Sequence, residues 1–291
     1  MENVKGVLYV TYADMVSIIR KNLWKIPHDI DVIIGVPRSG LFAATIISEY
    51  LGINITTVDD FISGKIIGGG GRMKPIDYKN VKKVLVIDDT CFNGSAMRIV
   101  KDKLSDINGI TFIYSVVFLE KSSSANLLDF YMADISGYDM SVFGHALYEW
   151  NLFQHYSPIL SRCIYDMDGV LCLDPPDERN ESAYARYLPV AYPMFIPKEK
   201  IGCILTYRLK RWRSETEKWL SDNNVHYGRL LMFNSDSYRD RSKIPPYVYK
   251  GEIYKSLDNF ALFVESDDEQ AKRIAEISGK VVYCVETNKI Y

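Results

Sequence analysis

The sequence lacks any long apolar segment, and no stretch approaches the roughly 20 apolar residues of a membrane-spanning helix. Its start, MENVKGVLYVTYADM, has no basic segment followed by an apolar run, as a secretory signal has. The formal net charge is only -2, which provides no general basic field for nucleic acid or an anionic membrane. We therefore expect a cytoplasmic protein that binds no nucleic acid and holds anionic ligands with local groups.

Cysteine is present without a pattern that would bind zinc. The five cysteines are scattered, form no CxxC pair and have no histidine at a zinc-binding spacing. We expect reduced thiols in the protein core. The length of 291 residues is close to twice that of a usual domain, which predicts two compact domains.

Short apolar runs alternate with segments of helical periodicity along the whole chain. The runs are DVIIGV, KKVLVIDD, ITFIYSVVFL, CIYDMDG, GCILT, RLLMFN, ALFVES and KVVYCVE. Continuous apolar runs separated by helices are typical of parallel strands that are buried on both faces. The pattern predicts an α/β protein with two parallel-sheet domains. The aromatic segment FGHALYEWNLFQHYSPIL separates the two series and places the domains at 1–155 and 156–291.

The first candidate site follows the apolar run VLVI of residues 84–87. Asp88 and Asp89 end this predicted strand, and a turn of small residues then opens a predicted helix. Ligands of open α/β sheets bind outside the carboxyl ends of strands, where helix N-terminal N–H groups point at anions. The two carboxylates can accept hydrogen bonds from the cis-hydroxyls of a sugar. The predicted donors to its 5-phosphate are Thr90, Asn93, Gly94 and Ser95.

This segment resembles the signature of type I phosphoribosyltransferases, which implies phosphoribosyl pyrophosphate as a substrate. The upstream segment IIGVPRSG resembles the pyrophosphate loop of that family, with Arg38, Ser39 and Gly40 as binding residues. The glycine-rich segment that follows resembles the flexible loop that closes over the site. Its candidate cations are Lys65, Arg72 and Lys74, and the residues leave open which of them contacts pyrophosphate. The resemblance covers about residues 5–150 and includes no recognisable base-binding hood, so the acceptor stays open.

The second candidate site begins with CIYDMDGVL, a predicted strand that ends in DxDG. It resembles the first motif of the haloacid dehalogenase superfamily. The resemblance implies that Asp166 is the nucleophile that takes the phosphoryl group and that Asp168 is the acid and base. It also implies a Mg²⁺ ion that bridges Asp166 and the phosphate.

The remaining motifs of that superfamily follow in order. Thr206 resembles the phosphate-binding threonine, with Arg208 nearby as a substrate-binding residue, and Lys250 resembles the motif lysine, with Lys255 as the alternative. The acidic cluster ESDD after the run ALFV contains the predicted fourth motif, in which the usual GD pair is replaced by ES. The predicted metal ligands are Asp166, Asp168, Glu265 and Asp267.

Together the two resemblances predict a bifunctional enzyme. The first domain would transfer 5-phosphoribose to an acceptor, and the second would remove the 5-phosphate to leave a β-ribofuranoside. The arrangement resembles fused proteins that place ribofuranose in bacterial surface polysaccharides, where the acceptor is a glycan on a lipid carrier. The spacing between the phosphatase motifs is too short for a large cap, which favours a bulky substrate.

Two other interpretations stay open at this point. One is nucleotide salvage, in which a nucleotide-forming transferase is joined to a nucleotidase. The other is a phosphatase regulated by a non-catalytic ligand-sensing domain. A lipid-linked acceptor would also bring peripheral contact with the inner face of the membrane, and the sequence leaves oligomerisation open.

Overall fold

A computed structural model describes residues 1–67, 73–153, 157–175 and 180–291. The chain forms two compact units, of which the first contains Met1 and Val10–Asp139 and the second contains Glu2–Tyr9 and Met140–Tyr291. The predicted domain boundary near residue 155 stays a prediction. In the described part of the chain, no helix combines the length and the apolar character needed to cross a membrane.

An N-terminal β-hairpin belongs to the second unit. Strands β1 (Glu2–Val4) and β2 (Val7–Val10) pair antiparallel across the dipeptide Lys5-Gly6. Both turn residues have positive φ, 48° and 80°, which is the backbone of the type I′ turn that matches the twist of a hairpin. All four residues of β2 are buried, and two of them, Val7 and Tyr9, are part of the core of the second unit.

The first unit is built around a five-stranded parallel sheet in the order β4-β3-β5-β6-β7. Its elements are α1 (Tyr12–Asn22), β3 (Val32–Gly35), α2 (Gly40–Leu51), β4 (Asn54–Thr57), α3 (Val58–Ile62), β5 (Lys83–Cys91), α4 (Ser95–Leu104), β6 (Thr111–Leu119) and β7 (Phe130–Asp134). The central strand β5 is almost wholly buried because helices cover both faces of such a sheet. The parallel α/β fold predicted for this half of the chain is confirmed.

The second unit contains a six-stranded sheet in the order β11-β10-β9-β12-β13-β14, parallel except for the β13-β14 pair. Its elements after the hairpin are β8 (Leu147–Tyr148), α5 (Ser157–Leu160), β9 (Cys163–Tyr165), α6 (Glu181–Tyr187), β10 (Ile201–Leu209), α7 (Arg213–Asp222), β11 (Tyr227–Phe233), α8 (Tyr238–Arg241), α9 (Pro246–Ser256), β12 (Leu262–Glu265), α10 (Asp268–Ser278), β13 (Val281–Cys284) and β14 (Lys289–Ile290). The mostly parallel sheet agrees with the predicted class, and the closer assignment to a haloacid dehalogenase-like fold stays a prediction.

The strand order of the second unit explains where its candidate site lies. Strand β9 is flanked by β10 and β12, and the three strands run parallel. Their carboxyl ends therefore meet at one edge of the sheet, where polar side chains can converge. Asp166 follows β9, Thr206 lies in β10, and Glu265 is the last residue of β12.

Candidate active sites

The acidic pair of the first unit lies where the sequence predicts it, near the carboxyl end of β5. Asp88 and Asp89 are 8% and 5% exposed, and the Asp88 Oδ1 atom accepts a hydrogen bond of 2.9 Å from the Asp89 N–H group. Burial raises the pKa of Asp88 well above its usual value, and the neighbouring Asp89 carboxylate adds to this effect. Keeping two carboxyl groups side by side in a buried position therefore costs folding free energy. Carboxyl groups with pKa values shifted in this way are typical of ligand sites.

The predicted pyrophosphate loop contacts this acidic pair. A Cβ atom on Gly40 would lie 2.8 Å from Asp88 Oδ1, so only glycine lets the backbone pass this close. The Val36 N–H group bonds to the Ile87 carbonyl at 2.9 Å, which joins the loop to β5. Ser39 directly precedes α2, and Arg38, whose peptide bond with Pro37 is cis, is exposed. The structure thus brings the predicted pyrophosphate loop and the predicted diol-binding acids together.

The turn after β5 leads directly into helix α4. Gly94 has φ 75° and immediately precedes α4, whose first residue is Ser95. The Ser95 N–H group donates to Asn93 Oδ1 at 3.0 Å, and this bond orders the turn. Thr90 is half-buried at the end of β5. Three of the predicted phosphate-binding residues, Asn93, Gly94 and Ser95, therefore lie at the N-terminus of a ten-residue helix, a position that favours an anion.

The predicted flexible loop is only partly described. Lys65 is exposed, and its backbone N–H group bonds to the Asp60 carbonyl at 2.8 Å. Lys74 is exposed too, and its carbonyl accepts a bond of 3.2 Å from Asn54. Arg72 lies outside the described residues. The pyrophosphate-binding cation of this loop stays a prediction.

In the second unit, Lys250 joins two carboxylates at the sheet edge. Its Nζ atom lies 2.6 Å from Asp166 Oδ2, 2.7 Å from Glu265 Oε2 and 3.2 Å from Gln270 Oε1. Asp166, Lys250 and Glu265 are all nearly inaccessible to solvent. Burial raises the pKa of Asp166 to about 7, although Lys250 acts in the opposite direction. Burial alone would lower the pKa of Lys250, but its two carboxylate partners raise it above the usual value.

Asp168 forms an ion pair with a different side chain from the one that binds Asp166. The Arg208 guanidinium contacts it with two parallel bonds, of 2.9 Å from Nε to Oδ2 and 2.5 Å from Nη2 to Oδ1. Arg208 is 1% exposed. The prediction that Arg208 binds substrate therefore identifies a residue of this site, but its described partner is Asp168.

A cavity of about 320 Å³ opens onto this group of side chains. Its wall includes Asp166, Asp168, Thr206, Lys250 and Glu265, all predicted from the sequence. Residues that sequence reasoning missed also line it, among them Asp174, Tyr207, Tyr238, Arg241, Ser266 and Gln270. Asp174 comes from a loop, and Tyr238 and Arg241 come from the short helix α8, where no periodic pattern or motif marks a site.

Three of the four predicted metal ligands, Asp166, Asp168 and Glu265, line this cavity, whereas Asp267 does not. Both Glu265 oxygens are engaged, Oε2 by Lys250 and Oε1 by the Ser266 N–H group at 2.9 Å. Asp267 caps helix α10 through the Gln270 N–H group at 2.7 Å and lines a neighbouring cavity. Across the described ranges, no group of three His, Cys, Asp or Glu residues is arranged to hold a metal ion. The Mg²⁺ ion and its ligands stay a prediction.

Gly169 fixes the turn that carries Asp168. It has φ 75°, and a Cβ atom there would lie 2.4 Å from Ser266 Oγ and 2.5 Å from Ser266 Cβ. We expect Gly169→Ala to cost about 2–4 kcal/mol of stability, from left-handed strain and overpacking combined. Gly279→Ala is the matched control, because Gly279 has φ 70° and nothing within 4 Å of its added Cβ.

Thermal or urea unfolding of the two variants measures this difference. The control should lose only about 1 kcal/mol, the cost of the backbone conformation alone. Equal losses for the two variants would show that the contact between residue 169 and Ser266 does not constrain the turn.

A family comparison agrees with the geometry of the first unit. Residues 10–149 match the family model described as a phosphoribosyl transferase domain, which covers slightly less than half of the chain. The match supports a phosphoribosyltransferase domain in this part of the protein and, with it, phosphoribosyl pyrophosphate as a substrate. None of the curated proteins compared with the chain matches it significantly.

Solved structures of three enzymes are similar to parts of the chain. A purine phosphoribosyltransferase from Pyrococcus horikoshii is 20% identical, with 52% of this chain and 98% of that chain covered and a TM-score of 0.37. An orotate phosphoribosyltransferase from Aeropyrum pernix is 18% identical, with 43% and 71% covered and a TM-score of 0.33. A xanthine-guanine-hypoxanthine phosphoribosyltransferase from Helicobacter pylori is 14% identical, with 50% and 92% covered and a TM-score of 0.35.

Proposed function

We propose that the chain is a bifunctional enzyme that transfers 5-phosphoribose from phosphoribosyl pyrophosphate to a glycan acceptor and then removes the 5-phosphate. The observation that carries the proposal is that one chain contains two separate groups of acidic side chains at the carboxyl ends of parallel strands. One is the acidic pair and phosphate loop of residues 88–95, and the other is the buried group of Asp166, Lys250 and Glu265. A surface polysaccharide is the proposed destination of the product.

In the transferase step, Asp88 and Asp89 accept hydrogen bonds from the 2- and 3-hydroxyls of the ribose. The N-terminus of α4 and the turn before it hold the 5-phosphate, while the loop with Arg38 holds the pyrophosphate. The bond between the anomeric carbon and pyrophosphate breaks as the acceptor oxygen attacks. Groups that stabilise the leaving pyrophosphate lower the barrier, and attack from the opposite face gives the β-ribofuranoside.

In the phosphatase step, an Asp166 oxygen attacks the phosphorus and the ester oxygen leaves with a proton from Asp168. Asp168 then takes a proton from the water that hydrolyses the phosphoaspartate. Lys250 holds Asp166 in place, and Thr206 faces the same cavity as a phosphate-binding hydroxyl. The strand order, with Asp166 between Thr206 and Glu265, supports a haloacid dehalogenase-like assignment for this unit.

The proposal of a bulky acceptor is supported by the segment between β9 and β10. In its described part this segment contains one seven-residue α-helix, α6, and a short 3-10 helix, Leu188–Val190. Such a segment is too small to enclose a substrate as a separate cap domain would. A phosphate at the end of a glycan could therefore enter the cavity.

An acceptor panel tests this proposal against the alternatives. Purified protein is given phosphoribosyl pyrophosphate with purine bases, with orotate, or with an oligosaccharide acceptor, and pyrophosphate release is measured. Release with the oligosaccharide alone is the expected result. Release with a base would favour nucleotide salvage, and no release with any acceptor would favour a ligand-sensing domain.

A further inference from the structure

The buried residue Arg208 contacts Asp168, the proposed acid and base of the phosphatase step. Strand β10 places it two residues after Thr206, and it is fully covered by the surrounding protein. Its guanidinium bonds Asp168 at 2.9 Å and 2.5 Å in the bidentate geometry that fixes the orientation of a carboxylate. Asp168 itself keeps 15% of its side-chain surface exposed and lines the cavity.

Other elements hold the guanidinium in this position. Its Nη1 atom donates to Thr216 Oγ1 of helix α7 at 3.3 Å, and its Nη2 atom donates to Cys172 Sγ at 3.3 Å. Thr216 and Cys172 are both completely buried. Two residues from other parts of the chain therefore fix one arginine, and the arginine in turn fixes one carboxylate.

Two of the aspartates that line the cavity are thus paired with different cations. Asp166 is held by Lys250 and Asp168 by Arg208. A buried cation that bonds a carboxylate on two sides limits the rotation of that carboxylate. For proton transfer this is useful, because a group already held in its reactive orientation does not lose that freedom during the reaction.

We propose that Arg208 is a positioning residue that orients Asp168 for proton transfer, and that it does not bind the substrate phosphate. This inference rests on the proposed phosphatase function of the second unit. In the first half-reaction the Asp166–phosphorus bond forms, the ester bond breaks, and the proton of Asp168 moves to the leaving oxygen. In the second half-reaction water forms a bond to phosphorus, the Asp166–phosphorus bond breaks, and Asp168 takes the proton of water.

Two probe substrates separate positioning from phosphate binding. Methyl β-ribofuranoside 5-phosphate has a poor leaving group that needs a proton, whereas 2,4-dinitrophenyl phosphate has a leaving group that needs none. For Arg208→Met we expect kcat on the ribofuranoside phosphate to fall about 10²-fold. The first-turnover burst of dinitrophenolate should change less than about threefold, and KM for both probes should change equally little.

The coupling of Arg208 to Asp168 is measured with a double-mutant cycle. Asp168→Asn alone should lose most of the activity on the ribofuranoside phosphate, and adding Arg208→Met should cost little more. Losses that multiply would show that Arg208 acts independently of Asp168. A tenfold rise in KM with kcat preserved would show that Arg208 binds phosphate, and either result would overturn the inference.

Thr216→Val provides a gentler variant, because it removes the hydroxyl that accepts from Arg208 and keeps the side-chain shape. It should lower kcat on the ribofuranoside phosphate several-fold and leave the dinitrophenolate burst unchanged. If Arg208→Met does not fold, this variant decides, and an equal loss on both probes would contradict the inference. A wild-type protein that hydrolyses neither probe would refute the proposed phosphatase function itself.

Discussion

Asp166→Asn is expected to abolish phosphate release while pyrophosphate release continues at the wild-type rate. The amide is a poor nucleophile, so no phosphoaspartate forms and activity on the ribofuranoside phosphate falls by about 10³-fold or more. The transferase chemistry uses residues of the other compact unit and does not involve this side chain. The phosphorylated product should therefore accumulate, and mass spectrometry of the glycan product would detect it.

A surface variant controls for the chemical change itself. Asp258→Asn makes the same substitution at an exposed position after helix α9, outside the cavity. It should release phosphate at the wild-type rate. Continued phosphate release by Asp166→Asn would refute the assignment of Asp166, and loss of both activities would point to misfolding.

The second large effect is expected for Asp88→Asn combined with Asp89→Asn. A hydrogen bond from a ribose hydroxyl to a carboxylate contributes about 1.5–3 kcal/mol to the free energy of binding. Loss of both contacts should lower kcat/KM for phosphoribosyl pyrophosphate by about 10²- to 10⁴-fold. Hydrolysis of the ribofuranoside phosphate should be unchanged, and Asp102→Asn, an exposed residue of α4, is the control.

Asp88→Asn is expected to raise the stability of the folded protein at pH 7, although it lowers transferase activity. Because burial and the neighbouring Asp89 raise the pKa of Asp88 in the folded protein, its ionisation destabilises the fold as pH rises above the unfolded-state pKa of about 4. Asp88→Asn removes that destabilisation. The melting temperature of the transferase unit should therefore exceed that of the wild type at pH 7 and equal it below about pH 4.

This pair of results separates ligand binding from structural support. A residue that only supports the fold should lose stability and activity together when it is replaced. Higher stability with lower activity is expected for a residue retained for its ligand. A fall in melting temperature at pH 7 would contradict the proposed role of Asp88.

Most strands of the two large sheets could be predicted because they are continuous apolar runs. All eight runs noted in the sequence are strands, including VLVI within β5 and FVE within β12. Buried parallel strands have this local signal whatever they pair with. The hairpin of β1 and β2 was not predicted, although the sequence Lys5-Gly6 fits its turn.

The hairpin has partners that lie far away in the sequence. The Tyr9 hydroxyl bonds to Asn288 Oδ1 at 2.5 Å, and Glu2 accepts from the Ile290 N–H group at 3.3 Å. A local pattern of residues cannot show which distant segment a strand packs against. The extent of the second unit therefore depends on long-range packing, which the sequence alone does not reveal.

The candidate sites were predictable to the extent that they lie at strand ends. Asp88 closes an apolar run of the first unit. Asp166 and Glu265 close runs that become neighbouring parallel strands of the second unit, so the convergence of these two residues at one sheet edge follows from topology. The direction of the Arg208 side chain did not follow, because it depends on Thr216 and Cys172, which belong to other elements. Motif spacing identified this arginine, but only packing shows that its partner is Asp168.

The coupling of the two reactions is measured most directly by counting products. Phosphoribosyl pyrophosphate labelled in its 5-phosphate is supplied with an oligosaccharide acceptor, and pyrophosphate, labelled phosphate and transferred ribose are quantified together. We predict one pyrophosphate and one labelled phosphate for each ribose transferred, with an unphosphorylated ribofuranoside as the product. Ribose that stays phosphorylated on the wild-type product, or labelled phosphate released without transfer, would contradict the proposed sequence of reactions.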